Sequence, residues 1–217
     1  MKIGISCRID EEESYNEVRN SLSVDWISYF NSLKYDPIII PCGLSHIDEY
    51  LNNFGLDGII LSGGNNINPK LYHSDYKMDS VYEFRDSSEF DIINYALKNK
   101  LPLLGVCRGM SIINIYFNGS LTHNIKNHVN TNHKLVINKF LDYFDKEIFV
   151  NSFHNHGIKS SNLGSNLNVF AKSEDGFIEG IYNLDNLIFG VQWHPEREPR
   201  VEQFDYFLNN FFKKNII

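Results

Sequence analysis

Leu101-Pro102-Leu103-Leu104-Gly105-Val106-Cys107-Arg108-Gly109-Met110 sets a short apolar run directly against a helical pattern. The run to Val106 has the length of a buried parallel strand. It stops at Cys107, after which Met110, Ile112, Ile113, Tyr116 and Phe117 recur at helical spacing. So sharp a turn predicts a strained corner at Cys107, and such strain gathers at functional sites. Gly105 and Gly109 flank the cysteine at minus two and plus two, where side chains would collide as a helix folds back over its strand. G-V-C-R-G is thus the pattern of the G-x-S-x-G nucleophile elbow with sulfur for oxygen. It predicts a thiol standing above the sheet edge at the first turn of a helix, where free N–H groups and the helix dipole favour an anion.

The same alternation extends on both sides. Residues 2–7 read as a strand, 37–41 as the next, and 58–61 as a third that runs straight into Ser62-Gly63-Gly64-Asn65-Asn66. Residues 10–15 read as a polar loop. Leu22, Trp26, Ile27, Phe30 and Leu33 share one helical face, Ile47, Tyr50 and Leu51 predict a short helix, and 87–97 predict a longer one. Continuous apolar strands alternating with helices predict an α/β fold, a mostly parallel central sheet flanked by helices on both faces. After Ser120 come short strand candidates at 134–137, 148–153, 168–172, 178–182 and 187–192, a small extra β element, and then a closing helix at 201–212. No repeat or Pro/Gly/Ser-rich linker interrupts the chain, so one domain is expected over residues 1–217.

With 42% hydrophobic and 22% charged residues, the composition is that of a soluble globular protein. No apolar run reaches membrane-spanning length, and the chain opens on a strand pattern rather than a signal peptide, so no membrane partner is expected. Three cysteines without paired spacing argue for a reducing compartment, with the cytoplasm as the expected location. A net charge of −7 argues against nucleic acid as a partner.

A catalytic thiol needs a base, and the base an orienting acceptor. Gln192-Trp193-His194-Pro195-Glu196 offers both: Pro195 favours an extended chain at His194, and in such a chain residues two apart point the same way. Cys107, His194 and Glu196 are therefore the candidate catalytic residues, with Glu196 holding the imidazole as Asp does in a serine triad. Acyl chemistry also needs donors for an oxyanion. One is the N–H of Arg108, next after the nucleophile, and the other is expected from Gly63-Gly64, whose loop leaves a strand at the same sheet edge.

Leu61-Ser62-Gly63-Gly64, Gly105-Val106-Cys107-Arg108-Gly109, Val150-Asn151-Ser152-Phe153-His154 and Gly190-Val191-Gln192-Trp193-His194-Pro195-Glu196 resemble, in order, motifs of the class I glutamine amidotransferase fold, a flavodoxin-like sandwich. They are most similar to its γ-glutamyl-hydrolase branch, the peptidase C26 group, and the likeness covers nearly the whole chain. The resemblance implies a Cys107–His194–Glu196 triad, an oxyanion hole from Gly64 and Arg108, a γ-glutamyl thioester on Cys107 and no cofactor. It also implies a small-molecule γ-glutamyl substrate, with Gly63 lining the site. Many family members carry Gln where Ser111 stands, a residue that helps to hold the glutamyl head. Asn155-His156 replaces the family's His-Gln, and Asn155-His156-Gly157 is similar instead to the glutaminase subunits of carbamoyl phosphate synthetase.

With Ser111 in place of Gln and a C26-like N-terminal half, the chain resembles a stand-alone hydrolase more than a glutaminase subunit with an obligate synthetase partner. Relatives of this branch cut γ-glutamyl-aminobutyrate, folate polyglutamates or, in a bacterial capsule pathway, γ-glutamyl-CDP-amidate. The chain most resembles those that cut the last. A diphosphate would need local cations in this acidic chain, and Arg197, Arg200 and Arg8 are the candidates, with Lys70 nearby in the pattern. Tyr72, Tyr76 and Tyr82 are candidates to stack a base. His123, His128 and His133 lie in an Asn-rich stretch whose spacing fits no usual zinc pattern, so no metal is expected. Cys7 and Cys42 end strands without a base partner and are expected to be inert.

Overall fold

Strands buried on both faces must be covered on both, and that requirement organises the molecule. A computed structural model describes residues 1–138 and 143–216. In chain order the elements are β1 (Lys2–Ser6), β2 (Arg8–Glu12), β3 (Glu17–Ser21), α1 (Val24–Leu33), β4 (Asp36–Ile40), α2 (Ile47–Asn52), β5 (Gly58–Leu61) and α3 (Glu83–Lys98). There follow β6 (Leu103–Val106), α4 (Arg108–Tyr116), β7 (Thr122–His123), β8 (Val129–Ile137), β9 (Glu147–Phe153) and β10 (His156–Gly157). The chain ends with β11 (Asn168–Ser173), β12 (Ile178–Asn183), β13 (Ile188–Val191) and α5 (Glu202–Phe212).

Nine strands form one sheet in the order β4-β1-β5-β6-β13-β12-β11-β8-β9. From β4 to β13 every junction is parallel, and from β13 to β9 every junction is antiparallel. One face packs on α1 and α5 through Phe30, Phe189, Phe207 and Phe211. The other packs on α2, α3 and α4 through Leu51, Leu61, Ile92 and Ile112. Each such side chain, fully buried, contributes about 1.5–3 kcal/mol. The α/β sandwich expected from the sequence is the one observed.

Two departures bear on the site. The stretch read as a loop over 10–15 belongs to a hairpin, β2 paired with β3 outside the main sheet. Helix α3 starts at Glu83 rather than residue 87, because its polar first turn faces inward, where Arg85 and Asp86 find buried partners.

Register then places the reactive groups. β13 lies beside β6 with Gly190 opposite Gly105 and Val191 opposite Val106, and the Cys107 N–H donates to the Val191 carbonyl at 2.8 Å. Residues just past the two strand ends, Cys107 and His194, must therefore meet.

Candidate active site

Cys107 is the single residue between β6 and α4, at φ 53° and ψ −105°. Such a conformation costs a residue with a side chain about 1–3 kcal/mol and persists only where its surroundings impose it. They do so here: a Cβ at residue 105 would overlap the backbone of Gly109, and one at residue 109 would overlap the backbone of Leu61. Only glycines let α4 seat this close to β5 and β6.

The loop after β5 is held from below. Fully buried Arg85 donates to the carbonyls of Ser62 (3.0 Å), Gly63 (3.0 Å) and Gly64 (2.7 Å) and to the Asn65 side chain (2.6 Å). With its carbonyls gathered on one guanidinium, the loop leaves the Gly63 and Gly64 amides free of any described backbone acceptor. Gly64 has φ +81°. The charge on Arg85 is balanced by Glu89 at 3.2 Å, which also pairs with the Arg108 side chain and accepts from Ser6 Oγ at 2.9 Å. Asp86 completes the cluster, pairing with Arg108 and accepting from the Asn68 N–H at 3.0 Å. Two cations thus meet two carboxylates. Burial, with the repulsion of Arg108 behind it, pulls Arg85 down to about 10, still a cation at neutral pH.

His194 Nδ1 lies 2.7 Å from Glu196 Oε1, and both side chains are buried. The stretch carrying them is clamped by Asn151 of β9, whose Oδ1 accepts from the His194 N–H at 2.9 Å while its amide donates to the carbonyls of His194 (2.8 Å) and Arg197 (3.0 Å). A Cβ on Gly63 would stand 2.7 Å from His194 Cε1 and 3.6 Å from Cys107 Cβ, so the ring, the sulfur-bearing carbon and the glycine loop converge on one point. Burial alone would lower the imidazole, but the adjoining Cys107 and Glu196 outweigh it and lift His194 to about 9. At neutral pH the imidazole is therefore an imidazolium, able to give up a proton.

These groups open into a cavity of about 420 Å³. Its wall includes Gly63, Gly64, Ser111, Asn155, His156, Arg8 and Arg197, all named from the sequence as site residues. Two others are not there. Gly157 packs in β10 against Phe177 and Ile125, because the β7–β10 pairing turns it from the cavity. Arg200 pairs with Asp205 at 2.7 Å and stacks 4.8 Å over the Tyr29 ring, tying α5 to α1. The tyrosines lie elsewhere too: Tyr76 stacks on His123 at 4.2 Å and Tyr82 donates to Glu11 at 2.8 Å. The aromatic walls are Trp26 and Phe153 instead. Cys7 and Cys42 are buried, and burial pushes the Cys42 thiol up to about 12.

The sequence reading missed Arg85, Asp86, Glu89 and Asn151. A signal for two of them existed: Arg85 and Glu89 continue the stripe of Ile92, Ile93 and Ala96 at helical spacing, so they share its inward face.

The peptidase C26 family model matches residues 2–196. The chain belongs to the peptidase C26 family. It is thereby a glutamine amidotransferase-like hydrolase acting on amides. It is 38% identical over 196 residues to a Schizosaccharomyces pombe protein named as a glutamine amidotransferase, covering 80% of this chain and 76% of the other. It is 36% identical over 200 residues to the gamma-glutamyl-CDP-amidate hydrolase of Campylobacter jejuni, covering 91% of each. Among solved structures, a GMP synthase component from Thermoplasma acidophilum shares the fold at a TM-score of 0.68 and 24% identity, over 98% of this chain and 92% of the other. Among the described residues no helix is long and apolar enough to cross a membrane.

Proposed function

We propose that the chain cleaves a γ-glutamyl amide through a γ-glutamyl thioester on Cys107, and that its substrate is γ-glutamyl-CDP-amidate. The observation carrying this reading is the convergence of Cys107, the Glu196-held His194 ring and Gly63 in a cavity whose wall also holds Arg8 and Arg197. The thiolate attacks the γ-carbonyl carbon, and the oxyanion formed is met by the Gly64 and Arg108 N–H groups. The C–N bond then breaks as His194 passes its proton to the leaving nitrogen. Water, deprotonated by His194, attacks the thioester and releases glutamate, which restores the thiolate and imidazolium. The products are glutamate and cytidine diphosphoramidate.

Arg8 and Arg197 support the diphosphate. Arg8 lies against Gly64, with its guanidinium nitrogens 3.3 Å from where a Cβ would stand, and pairs with Asp10 at 2.8 Å. Arg197 stacks 4.9 Å over Phe153. Both side chains line the cavity and keep partial exposure, at 42% and 31%. A relative that shares 91% of its length and is named for this substrate adds its weight. The test is glutamate release from γ-glutamyl-CDP-amidate, γ-glutamyl-aminobutyrate, folate polyglutamate and glutamine by purified protein. The nucleotide amide is expected to give the highest kcat/KM, and a faster reaction with any of the others would overturn the assignment of substrate.

A further inference from the structure

The three histidines singled out in the sequence do not stay together. His123 stacks on Tyr76 and lies tilted against Tyr72, whereas His128 and His133 converge with His154 on the carboxylate of Glu179. The backbone enforces the meeting. β8 and β9 pair so that His128, just before β8, and His154, just after β9, are bonded through the His154 N–H and the His128 carbonyl at 2.9 Å. His133 sits further along β8, and Glu179 enters from β12 with no exposure at all.

Glu179 Oε1 lies 3.5 Å from His128 Nδ1 and 3.3 Å from His154 Nε2, while Oε2 lies 3.7 Å from His133 Nε2. None of these five buried atoms has a hydrogen-bond partner. The separations exceed the roughly 2.7–2.9 Å of a charge-assisted N–H···O bond. Those of His128 and His154 match the roughly 3.3–3.5 Å that separates donor atoms held about 2.0–2.1 Å from one zinc at tetrahedral angles, and that of His133, to the other carboxylate oxygen, is longer. The outward ring nitrogens are occupied as they are in metal-bound histidines. His128 Nε2 meets Asp175 at 3.0 Å, and His154 Nδ1 meets the His156 carbonyl at 2.9 Å.

We propose that His128, His133 and Glu179, whose ligand atoms all lie within 4.8 Å of one another, form a binding site for a single divalent zinc ion. Two imidazole nitrogens and one carboxylate oxygen supply three ligands, and His154 Nε2, 3.3 Å from Glu179 Oε1, is the candidate for a fourth. The ion would bolt β8, β9 and β12 together behind the cavity wall to which His154 contributes. The Glu179 carbonyl also accepts from the Gln192 N–H at 2.9 Å, so the bolt anchors the segment that leads from β13 to His194. This inference does not depend on which amide the enzyme cuts.

The test is zinc titration of tag-free, chelator-treated Cys107→Ala protein, a background chosen so that the thiol cannot take up metal. One zinc per chain with a rise in Tm is expected, and cobalt in its place should show the visible bands of a tetrahedral site. Glu179→Gln and His133→Asn should each weaken binding at least about a hundredfold, and His123→Asn should leave it unchanged. Failure of the parent protein to bind one equivalent would overturn the proposal, with no variant involved. So would undiminished binding by Glu179→Gln or His133→Asn, or an octahedral cobalt spectrum.

Discussion

The cavity lies where two halves of one sheet meet, and they support it differently. On the parallel side Arg85, Arg108, Asp86 and Glu89 neutralise one another, and Arg85 turns its remaining donors to the carbonyls of the glycine loop. On the antiparallel side a buried carboxylate faces three imidazoles with five polar atoms unsatisfied. The parallel half carries Cys107 and the glycine loop. The antiparallel half, through Asn151, holds the stretch that carries His194. A buried ionic cluster serves as framework in both halves, but only in the first are the carboxylates closed by ion pairs shorter than about 3.3 Å.

The largest expected effect comes from the seam itself. Cys107→Ala should reduce glutamate release below detection while the circular dichroism spectrum stays native, because the sulfur is not needed for packing. Release at a near wild-type rate would remove the nucleophile from the parallel half. His194→Asn should cost several orders of magnitude in kcat, and Glu196→Gln less, since it orients and stabilises the ring. Comparable losses from both would show that Glu196 does more than orient.

Next in size is the finished cluster. Glu89→Ala strips a fully buried carboxylate from two guanidiniums, and breaking a buried ionic network in this way costs about 3–5 kcal/mol. Urea unfolding should show that loss, and kcat should fall further than KM changes because the glycine loop loses its anchor. A loss under about 1 kcal/mol would mean that the parallel half is not organised around these charges.

Smaller and more selective is the rim. Arg8→Ala should lower kcat/KM for the nucleotide amide about ten- to a hundredfold, the worth of a charge-assisted bond of about 1.5–3 kcal/mol. It should leave γ-glutamyl-aminobutyrate within about twofold. Equal losses on both substrates would assign Arg8 to the glutamyl end or to the fold.

The smallest effect is in pH. Unfolded histidine titrates near about 6.5, whereas His194 is raised to about 9 in the fold. Its stabilisation is therefore fully present below about 6.5 and is lost as the pH rises toward 9. Tm should decline over that window, less steeply in Cys107→Ala, which lacks one of the charges holding the proton. An identical slope in the two proteins would mean that the sulfur does not hold the imidazolium.

The elbow and the His194–Glu196 pair were legible because local rules write them: a glycine bracket, a strand-to-helix switch, an extended Pro-linked dyad. The parallel sheet followed from continuous apolar runs. What resisted reading was non-local. His154 and Glu179 join His128 and His133 only through strand pairing, so the spacing of the histidines alone does not show the cluster. The Arg85–Glu89 cluster sits on a helix turn too polar to be taken as buried, and Arg200 lies close in sequence to the triad yet turns to α1. The hairpin was hidden by its charges, since an alternating pattern on a two-stranded ribbon facing solvent looks like a loop.

That hairpin has a consequence for descent. Arg8 and Asp10 stand on β2, a ribbon hydrogen-bonded to β3 and outside the nine-stranded sheet. On the proposed reading of Arg8, leaving-group preference and bond-breaking chemistry are inherited in part on separate elements. A duplicated gene could lengthen, trim or recharge the ribbon and acquire a new substrate while its reaction centre stayed untouched, and a grafted ribbon should carry its donor's preference with it.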